Sequence, residues 1–150
     1  MQINPRRTTF SFAPPVDNAA AWHLRLDDFA TKLTAAFPEA VTWPEGPLGP
    51  RGAETLSFEM PLGDGVWLEG LATTPFPELG SVLVEKASAD EAAVIAVWLR
   101  DVFAPAPDLV HFTSEMALDR GEVTYTALPP HGSVTEVAAA LQQHLERADM

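Results

Sequence analysis

Cysteine is absent from this chain. Its absence removes disulfides, cysteine nucleophiles and thiolate metal sites together, and it fits a reducing compartment. Basic residues are scarce, nine Lys and Arg against 21 Asp and Glu, for a net charge of −12. A surface of that sign repels phosphate backbones and anionic lipid, so no nucleic acid and no membrane is expected as a partner. The charge either steers in a basic partner or only keeps the protein in solution. Long hydrophobic runs are missing as well: nothing approaches the roughly 18 uninterrupted apolar residues of a membrane span. The short apolar stretch Phe10 to Ala13 follows Arg6 and Arg7 but is cut by Pro14 and Pro15, too early for a signal-peptide core. The expected location is cytoplasmic.

The chain does have the material for a core. Apolar residues make up 47% of its 150 positions, with four Trp and eight Phe. That length and content predict a single domain, 1–150. Residues 7–13 alternate weakly and read as a short edge strand or a tail. Asp17 or Asn18 can cap a helix whose stripe is Trp22, Leu26, Phe29, Leu33 and Phe37, stopped by Pro38. A short strand at 40–43 precedes a proline-rich loop, 44–52. Residues 54–60 and 66–73 alternate on either side of Gly63-Asp64-Gly65, a hairpin signal, with Val66 and Leu68 assigned to the core face. Val82 and Val84 belong to a third strand of this meander. Ser88 and Glu91 form a capping box for a helix over 88–103, and Ser133 and Glu136 another for a helix over 133–148. Between them, alternation predicts strands at 109–118 and 122–128, joined at Asp119-Arg120-Gly121. The expected fold is therefore α+β: three helices on an antiparallel sheet of five or more strands, in the order α-β-β-β-α-β-β-α, with an extra N-terminal strand as an option.

Chemistry is harder to find than structure. His23, His111, His131 and His144 fall in four different elements, and no pair has the i, i+4 spacing that aims two imidazoles at one metal. No nucleophile elbow is present, and Ser88 and Ser133 are engaged as caps. Gly46, Gly49 and Gly52 are interleaved with prolines that lack the N–H a phosphate cradle uses. Asp27 and Asp28 diverge by about 100° on a helix. Glu69 and Glu115 sit mid-strand, as buried bases or, more commonly, as solvent-facing residues. No catalytic residue, metal or cofactor is expected.

Apolar residues on the wrong face carry more information. If Val66 and Leu68 face the core, Trp67 and Leu71 project from the opposite face. Either a second helix covers them or they form a patch for a partner. Trp98 and Val94 sit beside the stripe of helix 88–103 and widen it. Trp67, Leu71 and Trp98 are thus the candidate partner contacts.

The order helix, three strands, helix, two strands, helix resembles the class I type III secretion chaperones and the related YbjN-type proteins. The resemblance runs over roughly residues 17–148. Its best stretch is helix 88–103, Phe112 to Leu118, Asp119-Arg120-Gly121, Glu122 to Leu128, Pro129, and helix 133–148. It is a resemblance of pattern without an invariant motif, and the loop 44–52 and the option of a strand at 7–13 depart from it. It implies a non-enzymatic homodimer that holds an extended segment of a client protein. The rival expectation is an acidic immunity or antitoxin protein that caps a toxin domain, its carboxylates meeting a basic active site.

Overall fold

The computed structural model describes residues 7–48, 53–76, 79–122 and 124–148. Its frame is one antiparallel sheet of seven strands: β1 (Thr8–Ala13), β2 (Val41–Leu48), β3 (Ala53–Gly63), β4 (Val66–Phe76), β5 (Leu79–Ala87), β6 (His111–Ser114) and β7 (Thr126–Ala127). Across the sheet they run β2-β3-β4-β5-β1-β6-β7. Four α-helices accompany them: α1 (Leu26–Ala36), α2 (Ala89–Trp98), α3 (Glu115–Asp119) and α4 (Val134–Ala148). The α+β class is as the sequence predicts; the element count and order differ.

The clearest difference lies at the N-terminus. The weakly alternating stretch 7–13 supplies a central strand, not an edge strand or tail. β1 pairs with β5 on one side and β6 on the other. Phe10 and Phe12 therefore sit wholly buried in mid-sheet, their rings stacked with centroids 6.4 Å apart. Strand partners share a face, and their registers define two core rows. One is Thr42, Phe58, Gly70, Val84, Phe10 and Ser114; the other is Leu56, Ala72, Val82, Phe12 and Phe112.

Three helices cover this face. Phe29 of α1 meets Phe58 at 5.5 Å and Trp98 of α2 at 5.6 Å between centroids. Phe112 meets His144 of α4 at 5.0 Å. The long helix expected from Asp17 onward is shorter. Only a 3-10 turn forms at Val16–Asn18, and α1 begins at Leu26. His23 has φ 48, which no helix accommodates. Trp22 is buried nonetheless, packed edge-on to Phe103 and donating Nε1–H to the Leu109 carbonyl at 2.6 Å.

The capping boxes form at both expected helix starts. Ser88 Oγ accepts from Glu91 N, and Glu91 Oε1 accepts from Ser88 N. Ser133 and Glu136 repeat the exchange at 3.3 and 3.4 Å. Helix 88–103 is not uniform, because Leu99–Phe103 widen to a π-turn closed by Ala104 N to Leu99 O at 2.7 Å. The strand expected over 109–118 stops at Ser114. Its hydroxyl accepts from Ala117 N at 3.1 Å and starts α3, so a local cap overrides the alternation. The return strand expected over 122–128 shrinks to β7, and Val123 lies outside the described residues. The expected loop 44–52 is strand as far as Leu48, while 49–52 lie outside the described residues. Val66, assigned to the core, is exposed at the hairpin end beside Gly63, Asp64 and Gly65, all with positive φ. Leu68 is buried as expected.

Candidate functional site

All three long helices pack on one face of the sheet. Over β2 to β5 the other face carries no described helix, and register fixes what it presents. One row is Val41, Glu59, Glu69 and Glu85, directly opposite one another across β2 to β5. The next row, about 7 Å along the strands, is Trp43, Ser57, Leu71 and Leu83, continuing into Ser11 and Thr113. On the far side of the glutamates, Pro61 faces Trp67. Three carboxylates thus stand side by side on adjacent strands, flanked by indoles and aliphatic groups. These rows contain no lysine or arginine.

Like charges directly opposite on a sheet destabilise it. The ladder is therefore a local conflict in an otherwise consistent sheet, and such conflicts concentrate at functional surfaces. A fourth carboxylate bonds to the neighbouring row: Glu45 Oε1 accepts from Trp43 Nε1 at 2.7 Å and from Ser57 Oγ at 2.8 Å. That pair of bonds braces the Trp43 indole, which remains 38% exposed. Further along, the open face closes. Tyr125 places its hydroxyl 2.7 Å from Ser11 Oγ, and Thr113 there is wholly buried.

Of the three candidate contacts, Trp67 is 47% exposed on the open face, and Leu71 lies half-buried four residues along the strand on the same face, with Glu69 between them. No described helix covers either. Trp98 is elsewhere: 5% exposed, on the helix side, among Phe29, Phe37 and Phe103. The breadth of its helix is used inside the molecule, between sheet and α4, so Trp98 is a core residue and not a surface contact. Glu69 faces solvent on the ladder, and Glu115 opens α3 rather than sitting in a strand.

Sequence reading missed the ladder, although Glu59 and Glu69 both alternate against core residues about a hairpin that nearly fixes their pairing. It also missed a buried pair: Ser114 Oγ lies 2.9 Å from His144 Nε2. Nothing local signals this, since the two are 30 residues apart. Ser114 is wholly buried and already caps α3, and none of the described carboxylates accepts a hydrogen bond from His144. The pair ties α4 to the sheet; no substrate carbonyl can reach that hydroxyl with the fold intact. Burial, and then the Arg147 charge, push the His144 imidazole below its ordinary pKa, with Glu122 pulling weakly the other way. Among the described residues no group of three or more His, Asp or Glu is placed to hold a metal, and no helix is long and apolar enough to cross a membrane. No protein-family model, curated protein or solved structure matches the chain.

Proposed function

We propose that this chain is a non-enzymatic protein-binding module, secretion-chaperone-like in action, which holds an extended, basic segment of a client protein across its open sheet face. The glutamate ladder Glu59–Glu69–Glu85 carries the reading. Lysine or arginine side chains of the client relieve the repulsion in the ladder. Its apolar side chains meet Trp67 and Pro61 on one side and Trp43, Leu71 and Leu83 on the other. Arginine gains further from stacking on an exposed indole. Strand addition is the weaker route. The free edge β2 contains Pro44 and Pro47, which have no N–H to give, and β7 at the other edge is two residues long. A homodimer belongs to the proposal through the resemblance alone.

The test uses a synthetic peptide of alternating lysine and leucine, followed by tryptophan fluorescence. A chain of net charge −12 binds polycations weakly at any surface, so two variants of equal charge change are compared. Glu69→Lys is expected to weaken binding by about tenfold, ~1.4 kcal/mol. Glu146→Lys on α4, remote from the ladder, is expected to leave it nearly unchanged. Equal losses in the two variants would show that only bulk charge is at work. The same ladder also favours a second reading, an acidic immunity or antitoxin protein that caps a basic toxin site. On that reading the extended peptide does not bind, and a folded toxin domain does.

A further inference from the structure

Away from the open face, the end of α4 closes one wall of a cavity of about 280 Å³ lined by Ala117, Arg120, Glu122, Thr126, His144, Arg147 and Ala148. We propose that this cavity is a binding site for a small anion, the carboxylate or phosphate group of a ligand only a few carbons in size. Four parts of the chain converge on it: α3 with the turn after it, the segment at Glu122, β7, and the last turn of α4.

Charge is the first argument. The cavity gathers two arginines against one glutamate in a chain whose net charge is −12. Two other cavities show the opposite or no bias. One has Arg25 with Asp27 and Asp28; another has Arg7 and Lys86 with Glu115 and Asp119. Arg7, Lys32 and Arg100 each pair with a carboxylate. Neither Arg120 nor Arg147 pairs with one among the described residues.

Pre-organisation is the second. Arg120 donates one N–H to the Ala148 carbonyl at 2.8 Å, which fixes its guanidinium and leaves its other donors uncommitted. Arg147 and His144 are three residues apart on α4 and so share its face toward the cavity. His144 is held by Ser114, whose Oγ already accepts from Ala117 N and keeps its own proton to give. If that proton goes to Nε2, the ring carries its own on Nδ1, a further donor. Ala117 and Ala148 leave space where larger side chains would fill it.

Size and balance narrow the ligand. The volume sits just under the about 300–1,000 Å³ usual for drug-sized ligands. Glu122 offsets one of the two arginines, which suits a single anionic group over a polyanion. Paired guanidinium groups match the two oxygens of a carboxylate or a phosphate.

The experiment titrates the full chain with inorganic phosphate and, separately, with acetate, at constant ionic strength, following the His144 ring by NMR. A bound anion favours the imidazolium, against the pull of Arg147 and together with Glu122, Arg120 being the other charged group on the cavity wall. The expected result is a saturable shift of the ring signals by at least one probe, with a rise in the apparent pKa of His144. Both effects are expected to disappear in Arg147→Gln, an exposed residue whose loss leaves the fold intact by circular dichroism. If Arg147→Gln fails to fold, Arg147→Lys takes its place, with affinity expected to fall because the fork is lost. Saturation by acetate alone assigns a carboxylate ligand, and by phosphate alone a phosphate ligand. A linear response to both probes, or a saturable one that persists unchanged in the Arg147 variant, would overturn the proposal.

Discussion

Gly70 faces the core beneath the ring of Phe58. A Cβ added there would stand 2.3 Å from Phe58 Cζ and 2.5 Å from the Leu83 carbonyl oxygen, so both contacts must be relieved. A backbone oxygen within a sheet moves little. Gly70→Ala is therefore expected to lose about 1–3 kcal/mol, read as a lower urea midpoint at unchanged slope. Thr113 is the opposite case. Its Oγ1 is buried with no hydrogen-bond partner among the described residues, a loss that water would have compensated in the unfolded chain. Thr113→Val keeps the shape and removes the orphaned hydroxyl, so it should raise stability by about 1 kcal/mol; an unchanged or lower melting temperature would show that the hydroxyl is satisfied in solution.

Among the elements, the π-turn at the end of α2 has a consequence for its neighbour. It delivers Arg100, 4% exposed, to the loop before α4, where the guanidinium donates to Pro129 O at 3.2 Å and Gly132 O at 2.8 Å while paired with Asp101. Arg100→Met fills the space but leaves both carbonyls short of a donor. Its expected cost is about 2 kcal/mol, with amide exchange rising first at the start of α4. This linkage also marks the limit of what sequence can tell. Capping boxes, the Gly63–Gly65 hairpin and the stripe of α4 were legible because each is set by residues within a turn or two. The end of β6 was not, because Ser114 reads equally well as the next residue of an alternating strand. The place of β1 was not either, since a partner more than seventy residues distant leaves no local trace. The candidate face was half legible: alternation put Trp67 and Leu71 opposite the core, but the ladder needs the register of three strands. Trp98 was misplaced because a broad apolar helix looks the same whether its second surface meets another molecule or α4.

For the molecule as a whole, the ladder predicts opposed effects on stability and binding. Glu69→Lys replaces two repulsive neighbours by two attractive ones, each worth roughly 0.2–1 kcal/mol and weakened by salt. The variant should melt higher while it binds the basic peptide less; a lower melting temperature would mean that the ladder is not strained. Stability should also depend on pH through His144. Burial and Arg147 lower its pKa in the fold from the ordinary 6.5, so the unfolded chain binds the proton more readily. The stabilisation is complete above that value and is lost as pH falls through it toward the folded value. Substituting His144→Gln should flatten this part of the profile. At lower pH a second loss follows from Glu91 and Asp101. Burial raises the Glu91 value, but the Arg7 and Ser88 hydrogen bonds outweigh it; Arg100 lowers that of Asp101. Their contributions fade below the ordinary 4.5 and 3.8. The homodimer is checked by light scattering at micromolar concentration, where a monomer mass would remove it.

The central position of β1 has a consequence for how the protein is made. β1 leaves the ribosome before both of its partner strands and cannot complete its pairing until β6 has followed, on the order of a hundred residues later. At about 5–20 residues per second that is a wait of several seconds. Until β5 emerges, Phe10 and Phe12 lack both neighbouring strands, and from then until β6 follows they still lack one. The β2–β5 meander can assemble and take up β1 as it emerges, but one side of β1 stays unpaired until β6 has been made. Chains stalled or truncated before β6 therefore expose β1, with Phe10 and Phe12, as a free sheet edge, the form of this chain most prone to aggregate and most in need of a holding chaperone of its own.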